Sequence, residues 1–273
     1  MLGAYLDKVR KETPLVHNIT NYVTVNDVAN VILAAGASPI MSDEAEDVED
    51  IVSICGGLNI NIGTLNRDTI NGMFAAGRKA RDLGKVRLLD PVGAGASRLR
   101  TETAFALAEE IGFTCIRGNI SEIKSLIAGT GTTKGVDADA ADAVTESNTN
   151  RLADTARRFA VKRSCIVVIT GAIDLVSDGD ICYVIKNGRP EMSKITGTGC
   201  QLSGLITAFI AASPSEKVHA AASAVACMGY AGEIAWKNML PSDGNATYRN
   251  RIIDAVYNMT GTGLDQGARY EIK

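Results

Sequence analysis

The stretch Thr196-Gly197-Thr198-Gly199-Cys200 carries the strongest chemical signal in the chain. Two glycines let the backbone approach a ligand with no Cβ in the way. A long apolar run follows and predicts a helix from about Gln201. An extended segment over 191–195 is expected to lead into the turn. A helix start presents unpaired N–H groups and the positive end of a dipole, which together hold an anion such as phosphate. Cys200 then faces the group to which the phosphate is attached or moves. Taken alone, the motif fits a capped turn with a buried cysteine equally well.

Other candidates fall at the ends of apolar runs. Asp90 opens Asp90-Pro91-Val92-Gly93-Ala94-Gly95, where a carboxylate holds Mg2+, directly or through water, or closes an Asx turn. Asn119 and Glu122 have capping-box spacing, with Glu122 alternatively arranging Mg2+ around a triphosphate. Arg117 suits a forked phosphate contact, or is a surface cation. Thr170 offers a hydroxyl to phosphate or closes its own turn. There is no G-x-x-x-x-G-K-[ST], so a P-loop is excluded, and the first strand lacks G-x-G-x-x-G. His17 and His219 are the only histidines and have no metal-ligand spacing, which argues against a zinc hydrolase or a histidine triad. What remains is phosphoryl transfer with the anion site late in the chain.

Short apolar strands over 15–19, 38–41, 58–62, 86–90, 114–117 and 165–170 alternate with helices over 24–35, 45–55, 67–83, 102–111, 121–127 and 149–161. Gly36, Gly84, Gly112 and Gly129 stand just past helix ends. This rhythm predicts a three-layer α/β/α fold with a mostly parallel sheet, as one domain over 1–273. Antiparallel strands are expected over 175–177, 181–186 and 191–194, and nearly unbroken helix from 198 onward. Ligands of such sheets bind beyond the C-terminal strand ends, which here carry Asn21, Met41, Gly63, Asp90, Asn119 and Thr170. The polar segment 129–147 reads as a loop whose Lys134-Gly135 faces a nucleotide or solvent.

The net charge of −3, with interleaved acids and bases, excludes a nucleic-acid stripe. The six cysteines form no C-x-x-C pair; four of them sit in apolar runs and read as small buried hydrophobes, and a reduced cytoplasm is the expected compartment. The first 14 residues predict a charged helix, not a signal peptide, and 218–236 a buried core helix, not a membrane span.

Pro14-Leu15-Val16-His17-Asn18-Ile19-Thr20-Asn21, Gly36-Ala37-Ser38-Pro39-Ile40-Met41, Asn61-Ile62-Gly63-Thr64-Leu65, Asp90 to Ala96, Ile116-Arg117-Gly118-Asn119 with Glu122, and Gly197 to Cys200 occur in this order. Over nearly its whole length the chain resembles the hydroxyethylthiazole kinases of the ribokinase-like superfamily. The resemblance implies ATP- and Mg2+-dependent phosphorylation of 4-methyl-5-(2-hydroxyethyl)thiazole for thiamine phosphate synthesis. It implies ATP contacts from Arg117, Asn119, Thr170, Gly197 and Gly199, and a metal region at Asp90 and Glu122. It places Asn21, Val23, Met41, Gly63, Gly197 and Cys200 around the thiazole, and implies a homotrimer with the pocket at a subunit boundary. Thr198 departs from the alanine common in this loop. Cys200 stands where wider relatives carry an aspartate base, so it acts as a weak base with a pKa lowered by the helix start, or only positions the alcohol. A pyrimidine-alcohol kinase, an ATP-dependent dehydratase for hydrated nicotinamide cofactors and a non-catalytic sensor are the rival readings. Cys200 opposes the dehydratase, and Asp90, Glu122 and Arg117 oppose the sensor.

Overall fold

The computed structural model describes residues 1–129 and 144–273. The Lys134-Gly135 pair lies outside the described residues. After α1 (Gly3–Glu12) come β1 (Leu15–Ile19), α2 (Val25–Ala35), β2 (Ser38–Met41), α3 (Val48–Ile54) and β3 (Gly57–Asn61). The alternation continues through α4 (Arg67–Asp82), β4 (Val86–Asp90), α5 (Arg98–Ile111), β5 (Cys115–Asn119), α6 (Ile120–Ala128), α7 (Thr149–Arg163) and β6 (Ile166–Thr170). Then follow β7 (Asp174–Ser177), β8 (Cys182–Ile185), α8 (Thr198–Ala212), α9 (Lys217–Lys237), α10 (Asn245–Asn258), α11 (Gly261–Gly267) and β9 (Tyr270–Ile272).

All nine strands form one sheet in the order β2-β1-β3-β4-β5-β6-β7-β8-β9. The pairings from β2 through β6 are parallel, and those from β6 through β9 antiparallel. One apolar core lies under α1, α2 and α8–α10, with Val28, Ile32, Leu205 and Phe209 buried in it. The other lies under α3–α7 and holds Met73, Leu107 and Phe159. This is the α/β/α layering the alternating pattern predicts. The chain leaves β1 for β2 on one side and for β3 on the other, so a crevice opens above the β1–β3 pair. Asn21 and Gly63 stand at its two walls.

Four local expectations are corrected. Residues 191–194 are not a strand: Pro190–Lys194 is a 3-10 helix. Pro190 lacks an N–H for a ladder and has a φ already suited to a helix start. The partner strand of β8 is β9, whose three residues are all exposed and so show no apolar alternation. α8 starts at Thr198, not Gln201, so Thr198, Gly199 and Cys200 form its first turn. α5 begins at Arg98, four residues before the expected start, because the Ser97 side chain accepts from Arg100 N–H.

All six cysteines are free and buried, as small apolar side chains would be. His17 donates through Nε2 to Ser42 O (2.8 Å), and His219 Nδ1 meets Tyr183 Oη (2.6 Å), so both histidines serve the fold. Glu233, the carboxylate within α9, is held by Arg269, Asn187 and Gly188 N–H. Among the described residues no helix is long and apolar enough to cross a membrane.

Candidate active site

The ends of β1, β3, β4, β5 and β6 meet the first turn of α8. Asp90 ends β4 opposite Asn61 of β3 in the ladder and is fully buried. Its Oδ2 accepts from Asn61 Nδ2 (2.8 Å) and Ser203 Oγ (2.8 Å), and both its oxygens lie 3.5 Å from an Arg117 Nη1. Burial pushes the Asp90 carboxyl up to about 6, while Arg117 and the two hydrogen bonds pull the other way. Arg117, from β5, donates through Nη2 to Thr170 Oγ1 at the end of β6 (2.7 Å). Burial works against the Arg117 charge, but Asp90 and Glu122 outweigh it and hold its pKa above the ordinary value. A permanent cation is thus fixed at the strand ends.

Two glycines make close contacts here. A Cβ on Gly199 would sit 2.6 Å from the Arg117 guanidinium nitrogens, so glycine lets the first turn of α8 lie against that group without pushing it from Asp90 and Thr170. Gly197, the N-cap, has φ of 85°, and a Cβ on it would meet Thr24 Cγ2 at 2.3 Å. The free amides of α8 and the Arg117 guanidinium therefore converge, as an anion site demands. Both border a cavity of about 450 Å3, whose walls also include Thr170, Asp174, Leu202, Met192 and Met228.

Cys200 is buried, and its Sγ accepts from Asn21 Nδ2 (3.1 Å). The same Nδ2 donates to Asn61 Oδ1 (3.0 Å), and Asn21 Oδ1 accepts from Thr24 Oγ1 (3.0 Å). The expected lowering of the Cys200 pKa is reversed. Burial and the Asp90 charge push the thiol up, against weaker help from Thr24, Asn21 and Arg117. A helix start lowers a thiol pKa only where the thiolate keeps solvent or a dominant cation, and here neither holds.

Glu122 and Asn119 form the capping box of α6: Glu122 N–H donates to Asn119 Oδ1 (2.9 Å) and Asn119 N–H to Glu122 Oε2 (2.8 Å). Glu122 does more than cap, because its Oε1 accepts from Gly93 N–H (2.9 Å) and so anchors the glycine turn after Asp90. Each oxygen keeps a further lone pair. Among the described residues no group of three His, Cys, Asp or Glu gathers to hold a metal. Mg2+ needs no such cage, since it keeps its waters and takes one or two carboxylates plus phosphates. Half-buried Glu122 fits that donor set. Asp90, closed to solvent and bonded to Asn61, Ser203 and Arg117, fits a supporting place behind it.

Gly63 stands beside Asn21 and gives its N–H to Asn61 Oδ1 (2.9 Å). Met41 ends the edge strand β2, half-buried, and Val23 is 56 % exposed beside Tyr22 at 77 %. Neither Met41 nor Val23 joins the hydrogen-bonded network. Sequence reasoning missed Asn61, Ser203, Thr24 and Asp174. Asn59 and Asn61 alternate with Leu58 and Ile60 in a buried strand, and Ser203 lies three residues past Cys200 on its helix; both were readable signals. Asp174 closes its turn by accepting from Gly171 N–H (2.9 Å), and burial pushes its carboxyl up to about 7.

Parallel sheet, crevice and anion site define a small-molecule kinase of ribokinase-like architecture, and solved structures share that architecture. A pyridoxal kinase from Staphylococcus aureus in complex with ADP superposes with a TM-score of 0.63 at 14 % identity, over 95 % of this chain and 98 % of that one. A hydroxyethylthiazole kinase protein from Pyrococcus horikoshii superposes at 0.87 with 32 % identity, over 100 % of this chain and 98 % of that one. A hydroxyethylthiazole kinase of Clostridium acetobutylicum is 53 % identical over 271 residues, 99 % of each chain. The profile of the hydroxyethylthiazole kinase family matches residues 6–262, and the chain belongs to that family.

Proposed function

We infer that the chain, as one kinase domain over 1–273, transfers the γ-phosphoryl group of ATP to the primary alcohol of 4-methyl-5-(2-hydroxyethyl)thiazole. The observation that carries this is the unbroken run of contacts from Cys200 and Asn21, through Asn61 and Asp90, to Arg117, Thr170 and the first turn of α8. It sets an alcohol site beside a phosphate site. The alcohol lies against Asn21, Gly63, Met41, Val23, Gly197 and Cys200. The triphosphate lies along Arg117, Thr170, Gly197, Gly199 and the Asn119 end of β5, with the base in the Met192–Met228 part of the cavity. The alcohol oxygen bonds to the γ-phosphorus as the bond to the ADP oxygen breaks, and its proton leaves to a phosphoryl oxygen or to water, through a loose transition state that asks mainly for alignment and charge neutralisation. Glu122 would hold Mg2+, directly or through water, and the ion would supply part of that neutralisation, with Asp90 fixing Arg117 behind it. ADP release with this alcohol, ATP and Mg2+ is the expected result. Turnover of a pyrimidine or sugar alcohol instead would overturn the substrate assignment.

Cys200 orients the alcohol as a neutral thiol, a role its raised pKa supports over that of a base. Cys200→Ala is expected to lower kcat between about tenfold and a hundredfold and leave measurable activity, because alignment is loosened while the charge apparatus stays. Cys200→Asp is expected to retain or exceed wild-type activity by supplying a base near the alcohol. A phosphoenzyme in intact-mass spectra during turnover, or an inactive but folded Asp variant, would defeat this role.

The assembly is a homotrimer in which a neighbour covers the alcohol pocket, and the working compartment is the cytoplasm. Exposed Tyr22 and Val23, in the turn between β1 and α2, support a covering subunit. Light scattering is expected to give a trimer mass; a fully active monomer would remove this part of the proposal.

A further inference from the structure

Asn61 sits between the two halves of the site. It is 1 % exposed and sits directly opposite Asp90 in the β3–β4 ladder. Its Oδ1 accepts twice, from Asn21 Nδ2 (3.0 Å) and Gly63 N–H (2.9 Å), both on the alcohol side. Its Nδ2 donates to Asp90 Oδ2 (2.8 Å), on the phosphate side. The remaining hydrogen of Asn21 Nδ2 is given to Cys200 Sγ, and Asp90 faces Arg117, whose other arm holds Thr170. Only a carboxamide of this length offers an acceptor to one side and a donor to the other. Leucine keeps most of the volume and loses both the acceptor and the donor, and alanine loses both without filling the site. Because the polar groups here are buried, a turn of the Asn61 amide breaks hydrogen bonds on both sides at once, and neither side can make up the loss with water.

We propose that Asn61 is a positioning residue that couples the two substrate sites, so that alcohol and nucleotide each bind more tightly when the other is present. This rests on the assignment above of the alcohol to Asn21 and Cys200 and of the triphosphate to Arg117 and Thr170. An alcohol that fixes Asn21 also fixes Asn61, and through it the Asp90–Arg117 pair that receives the phosphates. The coupling is reciprocal, so the nucleotide tightens alcohol binding by the same factor. Ser203, which holds Asp90 from α8 (2.8 Å), anchors the phosphate side without touching Asn21 and is the natural control.

Calorimetric titration of the thiazole alcohol into the full chain, with and without saturating Mg2+ and β,γ-methylene ATP, measures the coupling as the ratio of the two Kd values. The wild type is expected to show a ratio of at least about fivefold. In Asn61→Leu and Asn61→Ala the ratio is expected to fall below half the wild-type value, and in Ser203→Ala to stay above it. Thermal melts identify folded variants, and the smaller Asn61→Ala decides if the Leu variant does not fold. A wild-type ratio below about twofold, a folded Asn61 variant that keeps more than half the wild-type ratio, or equal loss in Ser203→Ala overturns the coupling role. Absence of alcohol phosphorylation by the wild type would instead overturn the functional reading itself; normal turnover without coupling would overturn only this inference.

Discussion

Arg117→Ala is expected to lower kcat by about 10²–10³-fold, the loss seen when one preorganised donor to a developing charge is removed. Arg117 is the cation whose fork spans Asp90 and Thr170 against the first turn of α8, and its side chain is 12 % exposed. Its removal also leaves buried Asp90 without its counter-charge, a change that costs about 3–5 kcal/mol in comparable buried pairs. The pH dependence follows from the direction of the Asp90 shift. A carboxyl whose folded pKa is raised contributes stability at low pH that is lost as pH rises through the folded value, here about 6. Without Arg117 that value rises further, so the destabilisation grows from pH 5 to pH 8, because the neutral acid tolerates burial and the carboxylate does not. Chemical denaturation at the two pH values, beside steady-state rates on the folded protein, checks both halves. Equal destabilisation at both pH values would mean that Arg117 does not hold the charge of Asp90. A rate within about tenfold of wild type, well short of the expected loss, would remove Arg117 from the phosphate site.

Glu122→Gln is expected to lower kcat by about a hundredfold, with a stability cost of about 1 kcal/mol. Both Glu122 oxygens accept backbone N–H groups, Gly93 on one side and Asn119 on the other. Glutamine can serve one of these and turns its NH2 towards the other, which explains the modest stability cost. The larger kinetic loss follows from the missing charge beside the metal and triphosphate. Raising Mg2+ is expected to recover part of the rate in this variant and none in Arg117→Ala. A folded Glu122→Gln protein within about threefold of wild-type kcat, far from the loss expected of a charge-stabilising group, would reduce Glu122 to a helix cap and turn anchor.

The sequence by itself determined the alternation of short apolar strands with helices, and hence the layered parallel sheet. It marked the strand ends that carry Asn21, Gly63, Asp90, Arg117 and Thr170. It also marked the Asn119–Glu122 capping box and the glycine turn before α8. These are local properties: two-residue and 3.6-residue periodicities, a side chain reaching its own backbone three residues away, a glycine where φ is positive. Where local signals were silent or outweighed, reading the chain alone went wrong, as with the 3-10 turn at Pro190 and the exposed strand Tyr270–Ile272.

Tertiary structure decided the rest. Asn61 and Ser203 are 142 residues apart in the chain, yet both bind one oxygen of Asp90; their local patterns mark them as candidates but not as partners of the same carboxylate. The Cys200 pKa turned on the depth at which α8 packs against the sheet and on the Asp90 charge beneath it, not on the helix start visible in the sequence. Gly199 is legible as a permissive turn residue, but the close approach it allows is to a guanidinium contributed by β5. Contacts between distant segments and the desolvation of a charge exist only once the layers have closed, so no local pattern encodes them.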